Sequence, residues 1–406
     1  GLVKTFVKGV GVWLEDHEGN RYLDFVGGFG SVNLGHNNPA VTSALQQVLA
    51  SQAPGFAQSA VNPYAAALAE RLVSVAPPSL EMAFFCNSGT EAVEAGMKLA
   101  RRVTGRDGFV HCDGSYHGKS LGALALAGNA DYKKPFGTML PGAESVPYGD
   151  LDSLKRALET RRHSAFVVEP LQGEGGMNLP PAGYLAAAQQ LCRETGTLFM
   201  VDEVQTGLGR TGRLFASEHD ELEPDILLIA KSLGGGIVPI GAMLMRRDLW
   251  TKAYGTLNTF ALHTTTFGGG SLACAAGLAT LDLLTAQDIP AKAAERGDQL
   301  KAGLDEICSR YNCLKSARGR GLLLGLEFQP MAEHVKTHWK IADRTGLGTM
   351  LVPDFDKMVD GVIVMHAMQT LLLVHGIYTQ VARSNPRVLR IQPPLTISEA
   401  ECELFL

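Results

Sequence analysis

The chain has 406 residues, enough for two or three domains, and its 46% hydrophobic and 19% charged content fits a globular protein with a large core. A net charge of −5 with no Lys/Arg block argues against a nucleic-acid-binding face, and no apolar run approaches the ~18–20 residues that cross a bilayer. The start, Gly1-Leu2-Val3-Lys4, has neither a signal-peptide layout nor an initiator Met, so it reads as an excised piece of a longer polypeptide.

From about residue 82 to 245, short apolar runs alternate with helix-like stretches. Met82–Cys86, 109–111, 165–168, 198–201 and 226–230 read as buried strands, whereas 91–102, Leu151–Glu159 and Tyr184–Thr195 carry helical periodicity. The alternation predicts βαβ units, an α/β class and a largely parallel sheet. Four runs end in a reactive or anion-binding group: Asn87-Ser88-Gly89-Thr90, Glu169, Asp202 and Lys231. Open α/β sheets bind ligands at the carboxyl ends of their strands, so the chemistry is expected along one sheet edge. After about residue 287 a long helix, 291–311, leads into a less regular α+β region. The expected division is a large domain over 36–287 and a smaller one combining 1–35 with 288–406.

The seven cysteines (Cys86, Cys112, Cys192, Cys274, Cys308, Cys313 and Cys402) are odd in number and scattered, with no C-x-x-C. That pattern predicts a reduced, cytoplasmic setting without a disulfide framework or a metal site.

Three segments carry candidate chemistry. In Phe85-Cys86-Asn87-Ser88-Gly89-Thr90-Glu91-Ala92, Ser88 and Glu91 fit the S-x-x-E capping box. Free backbone N–H groups at such a helix start make a phosphate site; the plain alternative is an ordinary cap. Asp202, after four apolar residues, is expected at a strand end. A buried carboxylate needs a cation to stay ionised, and a protonated pyridine nitrogen or a structural ion pair would serve equally. Lys231 follows Ile226-Leu227-Leu228-Ile229-Ala230, where burial would lower its pKa and make it nucleophilic, as Schiff-base chemistry requires. The alternative is a lysine reaching solvent from a strand mouth. Gly207, Gly209 and Gly212 spell G-x-G-x-x-G, but Arg213-Leu214-Phe215-Ala216 does not look like a helix start, which argues against a dinucleotide site. Taken together, a phosphate cradle, a pyridinium partner and a Schiff-base lysine form the set that pyridoxal 5'-phosphate requires of a protein.

With those residues in view, the chain resembles the class III aminotransferases of the fold-type I pyridoxal-phosphate enzymes over about 16–401. The motifs are Glu18-Gly19-Asn20, Leu23-Asp24, Gly35-His36-Asn37-Asn38-Pro39, Ser88-Gly89-Thr90-Glu91-Ala92, Glu169-Pro170-Leu171-Gln172-Gly173-Glu174, Asp202-Glu203-Val204-Gln205, Lys231, and Arg390 before Pro393-Pro394-Leu395. The resemblance implies a large domain on a mainly parallel, seven-stranded sheet plus a smaller α+β domain. It implies that Ser88, Gly89 and Thr90 hold the phosphate, that Tyr116 stacks on the ring with His117 in the cofactor set, and that Asp202 pairs with the pyridinium. It further implies that Gln205 contacts the ring hydroxyl and that Lys231 carries the cofactor and shuttles the proton. Thr266 would reach the phosphate of a neighbouring subunit, making a homodimer obligatory.

For substrate, the resemblance makes Arg390 and Glu174 a switch pair: Arg390 binds an amino acid's α-carboxylate, and Glu174 neutralises it otherwise. A structural ion pair is the alternative. Relatives acting on ornithine, acetylornithine or γ-aminobutyrate carry Arg after the Tyr/Phe-His-Gly motif, where this chain has Lys119, which cannot make a bidentate clamp. Phe29 stands where ornithine-using relatives often have tyrosine. Both departures point to an amine or aldehyde without a second carboxylate, and this segment, like Val26-Gly27-Gly28-Phe29-Gly30, is most similar to the putrescine aminotransferase branch. The stretch 331–362 looks like an insertion, followed by an apolar run at 362–374. That arrangement is similar to aminotransferase domains of multidomain biosynthetic enzymes, such as prodigiosin-pathway transaminases acting on an acyl aldehyde; a surface excursion without a role in specificity is the alternative. A decarboxylase or aminomutase of the same fold is the nearest rival activity, and a non-catalytic binding domain a more distant one.

Overall fold

Apolar runs too short for helices become the strands of one central sheet in the computed structural model, which describes residues 4–56, 60–330 and 355–406, without the side chains of 355–360. In chain order the strands are β1 (Phe6–Val10), β2 (Trp13–Asp16), β3 (Arg21–Asp24), β4 (Met82–Cys86), β5 (Gly108–Cys112), β6 (Ala143–Val146), β7 (His163–Val168) and β8 (Leu198–Asp202). They continue with β9 (Ile226–Ile229), β10 (Gly241–Met245), β11 (Leu314–Arg320), β12 (Leu323–Phe328), β13 (Ile377–Tyr378), β14 (Gln380–Ala382) and β15 (Asn385–Ile391).

The central sheet has seven strands in the order β4-β10-β9-β8-β7-β5-β6. β10 runs antiparallel to both its neighbours, and the remaining pairings are parallel. β4, β9, β8 and β7 therefore point the same way, and their carboxyl ends share one edge. Interior strands such as β7, β8 and β9 are buried throughout, as strands covered on both faces must be. The expected strands are all present, but the run at 226–230 ends one residue early: Lys231 opens a 3-10 turn with φ +47° instead of closing the strand.

The helix Gly89–Thr104 shows how sequence sets an element. Ser88 caps its first turn, Gly105 ends it in the left-handed region, and the face carrying Ala92, Val93, Gly96, Leu99 and Ala100 is buried. The long helix expected at 291–311 spans Ile289–Arg310. Gly212, the last glycine of the G-x-G-x-x-G string, has φ +92°, and a Cβ there would stand 2.9 Å from Ala294 Cβ on that helix. The glycine serves close packing, and the segment continues into a short 3-10 helix, Ala216–Asp220.

The N-terminal meander joins the C-terminal region directly: β3 pairs in parallel with β13, Leu23 facing Ile377 and Asp24 facing Tyr378. A third sheet runs β11-β12-β15-β14. The apolar run at 362–374 lies in the helix Phe355–Val374, which packs on β15 and buries Val364, Met368 and Leu372. Most of the expected insertion, 331–354, lies outside the described residues. All seven cysteines are free thiols. Among the described residues no single helix is long and apolar enough to cross a membrane.

Candidate active site

The four strand ends singled out above converge on a cavity of about 310 Å³, lined by Gly89, Thr90, Tyr116, His117, Gly118, Lys119, Glu169, Glu174, Asp202, Val204, Gln205, Thr206 and Lys231. Its floor is electrostatic. Asp202, at the end of β8, is buried; its Oδ2 lies 2.7 Å from His117 Nδ1, and its Oδ1 accepts the Val204 N–H at 3.0 Å. Burial alone would lower the His117 pKa, but the hydrogen bond and charge of Asp202, with Glu169 behind it, hold the imidazole above its ordinary value. His117 thus fixes the orientation of Asp202 and holds a hydrogen bond against its buried carboxylate. The adjacent Glu203 points elsewhere, its carboxylate accepting the N–H groups of Ala216 at 2.5 Å and Ser217 at 2.8 Å.

Lys231 contributes the amine. Burial pushes its pKa down to about 8, and Arg390 adds to that, against the opposing charges of Glu174, Asp202 and Glu169. A lysine poised this way is a nucleophile near neutral pH.

At the wall formed by the helix Gly89–Thr104, the expected capping box is only half present. Ser88 Oγ accepts the Glu91 N–H at 3.3 Å, but the Glu91 carboxylate turns to the Asn87 N–H and Nδ2, both at 2.9 Å. The N–H groups of Gly89 and Thr90 have no intrahelical acceptor, the geometry that favours an anion. Thr90 Oγ1 lies 2.8 Å from Ser120 Oγ, which donates to Glu94 at 2.6 Å. Gly118 lies against this pair; a Cβ there would stand 2.4 Å from Thr90 Oγ1, so the tight approach requires glycine.

Other expected residues sort into those on the cavity and those behind it. Tyr116 lines it, half-buried, edge-on to Tyr132 with centroids 6.1 Å apart. Gln205 lines it and donates from Nε2 to the Phe29 carbonyl at 3.1 Å. Phe29 has φ +55°, a strained conformation for a bulky residue, and its ring is flanked by the guanidiniums of Arg390 and Arg383. Glu174 and Arg390 form a buried pair at 2.6 Å, with Arg390 also donating to Gln392 at 2.9 Å. Lys119 is exposed, its ammonium 5.2 Å from the Tyr132 ring centroid. Thr266 lies away from this cavity, on a second one of about 620 Å³ with Phe56, Asn62, Phe260 and Thr264.

The site residue to which sequence reasoning gave no role is Glu169. It accepts the Tyr116 N–H at 2.7 Å and the Gly173 N–H at 3.0 Å, and burial pushes it up to about 7, with Asp202 adding and His117 opposing. Its place at the end of β7 was the signal that could have assigned it one. Ser120 and Arg383 carried no signal of that kind.

A cavity holding a nucleophilic amine just past a strand end, a buried strand-end carboxylate and an anion-binding helix start fits pyridoxal phosphate, and the fold is that of the fold-type I enzymes that use it. The model of the class-III aminotransferases matches residues 2–406, and the chain belongs to that family. It is 41% identical to aminotransferase PigE from Serratia sp. (strain ATCC 39006) over 99% of this chain and 49% of that protein, so it spans about half the length of this relative. Among solved structures, ornithine aminotransferase from Toxoplasma gondii ME49 is 32% identical with a TM-score of 0.85, covering 100% of this chain and 89% of that one. A pyridoxal-phosphate-bound amine transaminase from an uncultivated Pseudomonas species is 28% identical with a TM-score of 0.82, covering 99% and 92%. Class III aminotransferases are pyridoxal-phosphate-dependent.

Proposed function

We propose that the chain transfers an amino group from an amino-acid donor to an aldehyde or ketone lacking a second carboxylate, or takes it from a simple amine such as a diamine. The observation that carries this is the shared cavity of Lys231 and Asp202, one a depressed amine and the other a buried carboxylate hydrogen-bonded by His117. When bound, pyridoxal phosphate supplies an aldehyde for amines to join and a ring that withdraws electrons from the substrate carbon. Lys231 would hold the cofactor through its amine and serve as the base that moves the substrate's proton. Asp202 would meet the ring nitrogen, Gln205 the ring hydroxyl and Tyr116 the ring face. The N–H groups of Gly89 and Thr90, with Ser88 at the cap, would hold the phosphate.

Substrate choice rests on the mouth. Lys119 is exposed and lies over Tyr132, so it offers no planar clamp to a distal carboxylate. Arg390 receives an amino acid's α-carboxylate when Glu174 releases it. By likeness to PigE and to biosynthetic transaminase domains, the acceptor class is an apolar acyl aldehyde, of the kind consumed in prodigiosin-type pigment biosynthesis.

The reading includes a homodimer. Phe56, Val61, Leu257, Phe260, Leu262 and Phe267 are exposed large apolar side chains clustered about the segment that holds Thr266. A second copy covering them would bring Thr266 to the partner's phosphate site. We further take 36–287 as the cofactor-binding domain and 1–35 with 288–406 as the smaller one, which the β3–β13 pairing supports.

Titrating the cofactor-loaded protein with glutamate and, separately, putrescine tests the proposal through the visible absorbance of the bound cofactor. Bleaching by putrescine assigns the diamine branch; bleaching by glutamate alone assigns a biosynthetic transaminase. Carbon dioxide release without an acceptor would replace transamination by decarboxylation.

A further inference from the structure

Two guanidiniums flank one ring. Arg390 Cζ lies 5.2 Å and Arg383 Cζ 5.7 Å from the Phe29 centroid. Their surroundings differ. Arg390 is fully buried and engaged by Glu174 and Gln392. Arg383 is exposed, and among the described residues its guanidinium has neither a carboxylate nor a hydrogen-bond partner; it rests on the ring, with Tyr116 within its electrostatic reach. Yet its main chain is tied to the same acid: the Arg383 N–H donates to Glu174 Oε2 at 3.4 Å, and the Ser384 N–H to the Glu174 carbonyl at 3.1 Å. Glu174 therefore sits beside an arginine it already neutralises and a second one that, among the described residues, pairs with no carboxylate.

The energetics of exchange give the second arginine a role. When a substrate carboxylate occupies Arg390, Glu174 loses its cation while remaining buried. A buried carboxylate without a partner is strongly unfavourable, so the exchange needs a replacement cation within reach. Lys231 would be committed to the cofactor, and Lys119 lies off towards Tyr132. An arginine suits this position because it is weakly hydrated, rests readily on an aromatic face and grips a carboxylate through a planar fork when one arrives.

We propose that Arg383 is the second seat of Glu174, a positioning residue that takes up this carboxylate whenever an amino-acid donor holds Arg390. The assignment rests on the reading that Arg390 receives the donor's carboxylate. In the resting arrangement Glu174 pairs with Arg390 and Arg383 rests on Phe29. In the donor-bound arrangement both guanidiniums carry a carboxylate, and the donor's added charge is met by a cation already in place.

A double-mutant cycle on the holoenzyme tests it, reading the ratio of kcat/KM for glutamate to that for putrescine. Glu174→Gln leaves Arg390 without its neutralising acid and raises this ratio; an unchanged ratio would overturn the reading of the pair itself and the Arg383 assignment with it. Arg383→Gln lowers the ratio about tenfold, mainly through the KM for glutamate, and Arg383→Lys restores part of the loss. In the Glu174→Gln background, where no displaced charge needs a seat, Arg383→Gln changes the ratio less than about twofold. An equal drop in both backgrounds would mean that Arg383 acts on the substrate directly, and no drop in either that it takes no part; each result overturns the proposal while leaving the pair's own role intact.

Discussion

The central sheet carries a histidine–carboxylate pair at each end, and the two behave in opposite ways. At the carboxyl edge His117 and Asp202 meet at 2.7 Å with both side chains buried, and the imidazole is held above its ordinary pKa. At the opposite edge His163 and Glu144 meet at 3.0 Å, lining a cavity of about 620 Å³ with Arg106, Asp107 and Arg162, yet His163 lies below its ordinary value. Burial pushes both imidazoles down. The difference lies in the acid: Asp202 is 4% exposed, whereas the Glu144 side chain is 40% exposed and shared with Arg162 at 3.7 Å. A desolvated carboxylate acts at close to full strength, while a hydrated one beside a competing cation does not. The larger cavity thus holds the more weakly coupled pair, and size is a poor guide to where buried charge is concentrated.

The strongest way to break this contrast is to remove the amine. Lys231→Ala is expected to lower turnover by at least about 10²–10⁴-fold, the scale of a lost proton-transfer group, and to abolish the visible absorbance of bound cofactor. Retained turnover would place the nucleophile elsewhere. Asp202→Asn comes next. It keeps the shape but removes the charge that His117 depends on, with an expected loss of about 10²-fold or more in kcat. The His117 imidazole, followed by NMR titration, should then fall below its ordinary value as His163 already does. A His117 titration that ignores the substitution would show that something other than Asp202 holds it up.

The depressed amine gives a pH prediction. Lys231 lies near 8 against 10.5 for an ordinary lysine, so its free base dominates above about pH 8 and shrinks about tenfold for each unit below. Cofactor capture by the apoprotein should rise with pH to a plateau above about 8. A midpoint near 10.5 would mean that Lys231 is solvated before the cofactor arrives.

Much of this site was legible in the sequence because strand ends in an α/β sheet are legible. Runs of Val, Ile, Leu and Phe marked β5, β7, β8 and β9, and whatever followed them had to lie on one edge. The two strands of the central sheet left unread lack that signature. β6 (Ala-Glu-Ser-Val) is an edge strand with only Val146 buried, and β10 (Gly-Ala-Met-Leu-Met) has no β-branched or aromatic residue though it is wholly buried. Local patterning also located the start of the helix Gly89–Thr104, but not that Glu91 would turn to Asn87, because that choice depends on tertiary surroundings. Partnerships between distant segments were beyond reach: Gln205 with Phe29, Glu169 with Tyr116, and Arg383 with both Phe29 and Glu174.

The smallest expected effect sharpens the contrast most, because it asks whether the distal pair matters at all. Glu144→Gln removes the acid from His163 without changing its size. Since Glu144 is well hydrated and already shared with Arg162, the loss of stability should not exceed about 1 kcal/mol, read as a small shift of the denaturant midpoint. Turnover should stay within about twofold, because the substitution lies at the sheet edge opposite Lys231 and Asp202. The sign of the pH effect follows from the directions. His163 already lies below its ordinary value with Glu144 raising it, so removing Glu144 depresses it further and leaves the imidazole neutral over a wider range. The pH-dependent part of that loss should then appear at acid pH, where the unfolded chain protonates this histidine and the folded one does not. A turnover loss comparable to that of Asp202→Asn would mean that the two ends of the sheet are coupled through its strands, and burial of the carboxylate would no longer account for the difference between them.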